Sequence, residues 1–244
     1  KGLKTFVNRC NSCRSASFGT RSELTRGLCT TADQPQKMFL NSKPKALNVP
    51  RMAIKAEDGT AFKRVLLTVF GYYSQESQMV KGSTTVYKMI EDHCESSMFH
   101  THLRLQDDFR SKHALLCLHV WMILRRLRKE GDDAKRFSQN LYEHFQRDVE
   151  MRIHREGVRV RVSKWLRELE DIFFGATLGY DNAIDKQSED LSEALHRNVY
   201  GKEGDIMFAK ALSRYVTREL ASLRLTDTKA ILEGQIGFNL GPDE

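Results

Sequence analysis

Only four prolines and fifteen glycines interrupt these 244 residues, and no apolar stretch is long enough to cross a bilayer. Scarcity of helix breakers excludes a collagen-like or low-complexity chain and leaves room for long helices. The most apolar stretch, Ala114–Leu124, is eleven positions broken only by His119, well short of the roughly 20 that a spanning helix needs. Cysteine is sparse and odd in number, at positions 10, 13, 29, 94 and 117, a spacing that gives no disulfide framework. Cys10 and Cys13 form a C-x-x-C, but no second pair and no H-x-x-x-H follows at zinc spacing, so reduced thiols without a metal are expected. Acids are also in deficit, 32 against 39 Lys plus Arg. The resulting net charge of +7 suits an anionic partner such as RNA or a membrane surface.

What is present is a globular composition. A hydrophobic fraction of 40% and a charged fraction of 29% allow one substantial core in a chain of this length. Residues 1–31 differ from the rest: Lys1, Lys4, Arg9, Arg14, Arg21 and Arg26 face the single acid Glu23 amid Ser and Thr. That is transit-peptide composition, or else a basic arm held by a partner. Residues 32–59 hold Pro35, Pro44 and Pro50 without a sustained apolar period and are expected to be a linker to a helical domain over 60–244.

From residue 60 onward the apolar residues recur at three and four, the period of a helix with one buried face. Phe62 to Tyr73 predicts a first helix, and Ser83 is a candidate N-cap for a second that carries Val86, Met89 and Ile90. Ala114–Leu124 predicts a central buried helix, whose Arg125, Arg126, Arg128 and Lys129 complement the negative helix end. Asp132 or Asp133 is expected to cap a fourth helix with the stripe Leu141, Phe145, Val149 and Ile153, ending near Gly157. Ser163 is expected to open a fifth, in which Gly175 and Gly179 would admit a close neighbour. Two more follow, one ending at Gly201 and one carrying Phe208, Leu212, Tyr215 and Leu220, with an extended hint at 235–240. With no repeat and no alternating strand series, the expected fold is all-α, an irregular helical bundle around a buried central helix, preceded by an extended basic N-terminal segment.

No catalytic constellation stands out. His93, Cys94, His100 and His102 fit no common zinc pattern. His119 lies inside the apolar helix, where a neutral imidazole bonded to a main-chain carbonyl is expected, and His144 could pair with Asp148 one turn away. Catalytic, cofactor and metal sites are therefore expected to be absent, and the chain is read as acting by binding. The strongest charge feature is the stretch from Arg147 to Arg167. There Arg147, Arg152, Arg155, Arg159, Arg161, Lys164 and Arg167 face three acids and are candidate anion contacts. Adjacent Phe173 and Phe174 cannot share one helix face, so Phe174 is a candidate partner contact, as are Tyr180 and Asp181.

Several of these helices carry the stretches HALLCLHVWMILRRLRKEG at 113–131, LYEHFQRDVEMRI at 141–153 and VSKWLRELEDIFFGATLGYDNAI at 162–184. LSEALHRNVYG at 191–201 and ALSRYVTRELASLRLTD at 211–227 follow in order. In these blocks the chain resembles the ubiquinol-cytochrome c chaperone family over about residues 60–240, with one departure at His196, where the family often has an aromatic. The resemblance implies a mitochondrial matrix assembly factor, peripheral to the inner membrane at most. It would act with a small assembly-factor partner protein and the mitochondrial ribosome, receive newly made cytochrome b, and assist complex III assembly. The rival reading is a mitochondrial ribosome-associated or rRNA-binding accessory protein.

Overall fold

In the computed structural model, residues 35–49, 75–186 and 189–239 are described. The 1–31 segment and the helix expected over 62–73 lie outside them. Helices run from α1 (Gln75–Cys94) and α2 (Ser97–Thr101) to α3 (Phe109–Leu127), α4 (Asp132–Arg155) and α5 (Val162–Asp181). A π-turn (Asn182–Lys186), α6 (Leu191–Asn198), α7 (Ile206–Leu225) and α8 (Thr228–Leu232) complete the series. The all-α expectation holds: among the described residues the strand-like pairing is limited to one antiparallel bridge, Asn48 with Ile236.

α3 is the axis. Thirteen of its nineteen residues are buried, against the single stripe that an amphipathic helix hides, because α1, α4, α5 and α7 cover it from all sides. Trp121 is enclosed there, its ring 5.0 Å from that of Tyr180 and its Nε1–H donating to Asp181 Oδ1 at 3.0 Å. Around this axis the apolar stripes fall inward as their spacing requires: Phe137, Leu141, Phe145, Val149 and Ile153 from α4, Leu169, Phe173, Ala176 and Tyr180 from α5.

Helix beginnings differ from the expectation in three places. Ser83 is not an N-cap; it lies inside α1, buried, its hydroxyl donating back to the Val80 carbonyl. Asp132 and Asp133 sit in the first turn of α4 after an N-cap at Gly131, where their charge still favours the positive helix end. α5 starts at Val162, after Arg161 in the left-handed conformation at φ 58°, so Ser163 lies within the helix. Gly157, at φ +80°, ends α4 where a side chain would be strained.

The glycine pair also differs. A side chain at Gly175 would meet nothing within 4 Å, so this position admits no close neighbour, whereas Gly179 faces Arg197 and Asn198 of α6. The close approach lies elsewhere: a Cβ on Gly82 of α1 would fall 1.9 Å from the Leu232 carbonyl oxygen of α8.

Residues 35–49 have the helix-free backbone that their prolines dictate, but not a linker's surroundings. Met38, Phe39 and Leu47 are buried, Arg214 Nε donates to the Met38 carbonyl at 2.7 Å, and Leu47 N–H donates to Thr226 Oγ1 at 3.0 Å. The bridge from Asn48 to Ile236 places the tail beside this segment; the hint at 235–240 is of extended backbone only, and residue 240 lies outside the described residues.

Candidate interaction surfaces

α4 and α5 form an antiparallel hairpin that carries most of the candidate contacts, and the structure divides them sharply. At its tip Arg155, Arg159, Arg161 and Lys164 are exposed, with Arg147 and Arg167 exposed further down the two helices. Val160, 75% exposed, stands between two of these arginines. Lys164 lies 3.6 Å from Glu168, an exposed pair worth little in water.

Arg152 does not belong to that surface. Its Nε lies 2.5 Å from Asp148 Oδ2 and its Nη2 2.7 Å from Glu91 Oε1, with the side chain only 12% exposed. Tyr87 donates its phenol to the same Asp148 oxygen at 2.7 Å. Burial first, then the bond to Asp148, pushes the Tyr87 phenol far up. Burial also raises Glu91, with the Asp148 charge adding to it and Arg152 opposing it. Arg152 thus ties α4 to α1, and an approaching phosphate would have to compete with two carboxylates. The pairing of His144 with Asp148 is likewise replaced: His144 Nε2 meets Thr84 Oγ1 at 3.0 Å.

Tyr180 is 1% exposed and belongs to the core, so it touches no partner on the surface. Asp181 gathers Trp121 Nε1, Arg125 Nη1 at 2.6 Å and Arg128 Nη2 at 2.6 Å, while Arg125 also reaches Asp185 at 2.5 Å. This clamp locks the end of α5 to the end of α3 and gives Asp181 a fixed structural task. Phe174, by contrast, is 53% exposed, while its neighbour Phe173 is buried, as two successive helix positions must be.

His119 and His93 are hydrogen-bonded to Tyr215. His119 Nδ1 donates to the Leu115 carbonyl at 2.8 Å, leaving its Nε2 to accept from the Tyr215 hydroxyl at 2.9 Å. Tyr215 oxygen then accepts from His93 Nε2 at 2.8 Å. Burial holds His119 down at about 4 and His93 at about 2, so both rings are neutral at physiological pH. Cys94 is a buried core residue and His93 is half-buried against the Tyr215 hydroxyl.

A feature the sequence reading missed lies along the hairpin. Between α4 and α5 runs a cleft of about 360 Å³, lined by Tyr142, Gln146, Glu150, Leu166 and Glu170 among others, with buried Phe145 and His113 at its base. Tyr142 OH and Gln146 Nε2 both donate to Glu170 Oε1 at 3.1 Å. Its sequence signal is the four-residue spacing of Leu166 and Glu170, continued past the cleft by Phe174 and Leu178, which competes with the stronger buried stripe of the same helix.

With this geometry in place, the comparisons with known proteins are specific. Residues 101–238, more than half of the chain, match the family model described as Ubiquinol-cytochrome C chaperone. Over 130 residues the chain is 31% identical to the Xenopus laevis protein named ubiquinol-cytochrome-c reductase complex assembly factor 1, covering 52% of this chain and 65% of that protein. Its Homo sapiens counterpart is 24% identical over 220 residues, which is 88% of this chain and 68% of the human protein. The chain therefore spans about two thirds of the length of these two curated relatives. The crystal structure of the Cbp3 homolog from Brucella abortus superposes with a TM-score of 0.63 at 23% identity, over 71% of this chain and 96% of that one, and shows a shared helical fold.

Proposed function

This chain belongs to the ubiquinol-cytochrome C chaperone family, and from that premise we propose that it is a mitochondrial assembly factor of ubiquinol-cytochrome c reductase, complex III. It binds newly synthesised cytochrome b close to the mitochondrial ribosome, together with a small assembly-factor partner, and works by binding rather than by chemical turnover. The observation that carries this reading is the family match over 101–238, supported by relatives whose names describe assembly of the same complex. No helix among the described residues is long and apolar enough to cross a membrane, so contact with the inner membrane through this part of the chain would be peripheral.

The hairpin tip supplies a mechanism for staying near the site of synthesis. Arg155, Arg159, Arg161 and Lys164 project from one turn of chain, and Arg147 and Arg167 extend the positive field along both helices. Phosphates of ribosomal RNA would release counterions on meeting such a surface, so attachment through it weakens steeply with salt. Capture of an apolar client segment would instead change little with salt, or strengthen. Binding of mitochondrial ribosomes is therefore to be titrated against salt for the native chain and for Arg159→Glu with Arg161→Glu. A steep native profile that flattens in the double variant is expected. Identical flat profiles would remove the tip from the mechanism. Loss of all mitochondrial translation on depletion would favour the rRNA-binding accessory role instead.

A further inference from the structure

The cleft between α4 and α5 has the shape and chemistry of a second docking site. Two ridges with four-residue spacing bound it, Tyr142, Gln146 and Glu150 on α4 and Leu166 and Glu170 on α5, and Phe174 and Leu178 continue the α5 ridge beyond the cleft. The α5 ridge covers twelve residue steps, roughly 18 Å of helix. At its far end the apolar side chains stand out into solvent, Phe174 at 53% and Leu178 at 61% exposure, and the Phe174 ring lies 6.1 Å from that of Tyr142. Gly175, which no neighbour approaches, leaves the helix backbone open beside them.

The charge in the cleft is opposite to that of the tip. Glu143, Glu150 and Glu170 line it against one cation, Arg147; Glu143 accepts from Gln139 and Glu170 from Tyr142 and Gln146, so their hydrogen-bond partners are neutral side chains. At the base, His113 is 2% exposed and held between the rings of Phe109 and Phe145. Its Nε2 contacts Cys117 Sγ at 3.4 Å, and the Leu169 main chain lies beside the ring. Burial holds the ring at about 4, so it stays neutral.

We propose that this groove docks a basic amphipathic helix of a partner protein, its apolar stripe on Leu166, Phe174 and Leu178 and its cations on Glu143, Glu150 and Glu170. Parallel four-residue ridges are the surfaces into which the ridges of another helix pack. An apolar wall combined with carboxylates selects a helix with the same two characters in reverse. The inference stands on the groove and not on the cytochrome b reading; either can fail alone.

The test uses the full chain and two fluorescent helical peptides of about 18 residues, five turns. One alternates Leu and Lys in an amphipathic pattern, and the other has Glu in place of Lys. Anisotropy at physiological salt is expected to show the Lys peptide binding and the Glu peptide weaker by about tenfold or more. Glu143→Lys with Glu150→Lys, both at exposed positions, should weaken the Lys peptide by about tenfold. A charge-matched control, Glu193→Lys with Glu233→Lys, lies elsewhere on the surface and should leave affinity within about twofold. Phe174→Ala should weaken both ends of the fit, and the tip variant Arg159→Glu with Arg161→Glu should not weaken binding. Equal binding of both peptides, an equal effect of the control pair, no binding, or self-association of the chain abolished by Phe174→Ala would each overturn the proposal.

Discussion

Replacing Arg152 with methionine tests whether that residue holds the fold or contacts an anion. The side chain lies between Asp148 at 2.5 Å and Glu91 at 2.7 Å, and Asp148 is almost fully buried. Methionine fills much of the same volume and removes the charge, so the effect isolates electrostatics from packing. Breaking a buried pair by removing one partner costs about 3–5 kcal/mol, since the remaining carboxylate is left without its counter-charge. Glu91 is partly exposed and water screens its share, which brings the expectation to about 3 kcal/mol. That is a change of roughly two orders of magnitude in the folding equilibrium. Urea unfolding of the full chain should show the midpoint falling with an unchanged slope, while Arg155→Met, exposed one turn away, stays within about 0.5 kcal/mol. The sign of the pH dependence is fixed as well. Glu91 already sits above its ordinary value of 4.5 because it is buried, and loss of Arg152 raises it further. A carboxyl whose pKa is raised in the folded state penalises folding when ionised. The deficit of the variant is therefore full near neutrality and shrinks as pH falls through the folded pKa of Glu91. Equal stability of Arg152→Met and the native chain at pH 7, or a deficit that grows in acid, would refute the reasoning.

Trp121→Ala should cost about 3–5 kcal/mol by cavity formation around α3, measured by denaturant unfolding; a loss under 1 kcal/mol would contradict its enclosure. Gly82→Ala should lower stability clearly, since its Cβ would overlap the Leu232 carbonyl and push α8 away, whereas Gly175→Leu should leave the melting temperature nearly unchanged. Reversal of that order would refute the placement of both glycines. His113 and His119 should remain neutral at pH 5.5 by imidazole NMR, each protonating only near 4. Because an unfolded histidine binds its proton near 6.5, each contributes a loss of up to about 3 kcal/mol as pH falls from there towards 4. Protonation of either ring in the folded chain above pH 6 would contradict the buried geometry.

The central helix was legible because an apolar run of eleven positions ending in arginines has few alternatives in a chain without spanning segments. Stripes on α4, α5 and α7 were equally plain, since spacing of three and four specifies a face without knowledge of its neighbour. Helix starts were less readable. Ser83 and Ser163 have the right side chains for caps, but the Ser83 hydroxyl bonds to a carbonyl one turn back inside α1, and α5 begins one residue before Ser163, after left-handed Arg161. The basic stretch was legible as charge but not as geometry. Seven cations shared one reading until Asp148 and Glu91, the latter 61 positions earlier, withdrew Arg152 from the set. Residues 35–49 were obscured for a similar reason, because Met38, Phe39 and Leu47 are too few to set a period and find their partners on α7 and the C-terminal tail. The groove left almost no trace, since it consists of positions between two helices that each look solvent-facing in isolation.

The central claim, that the chain receives newly made cytochrome b, is tested most directly by labelling mitochondrial translation products briefly and recovering the tagged full chain under native conditions. Labelled cytochrome b should be enriched over the other mitochondrially encoded products, and its enrichment should fall during a chase as complex III matures. Recovery of all labelled products in proportion to their synthesis, or of none, would contradict the account.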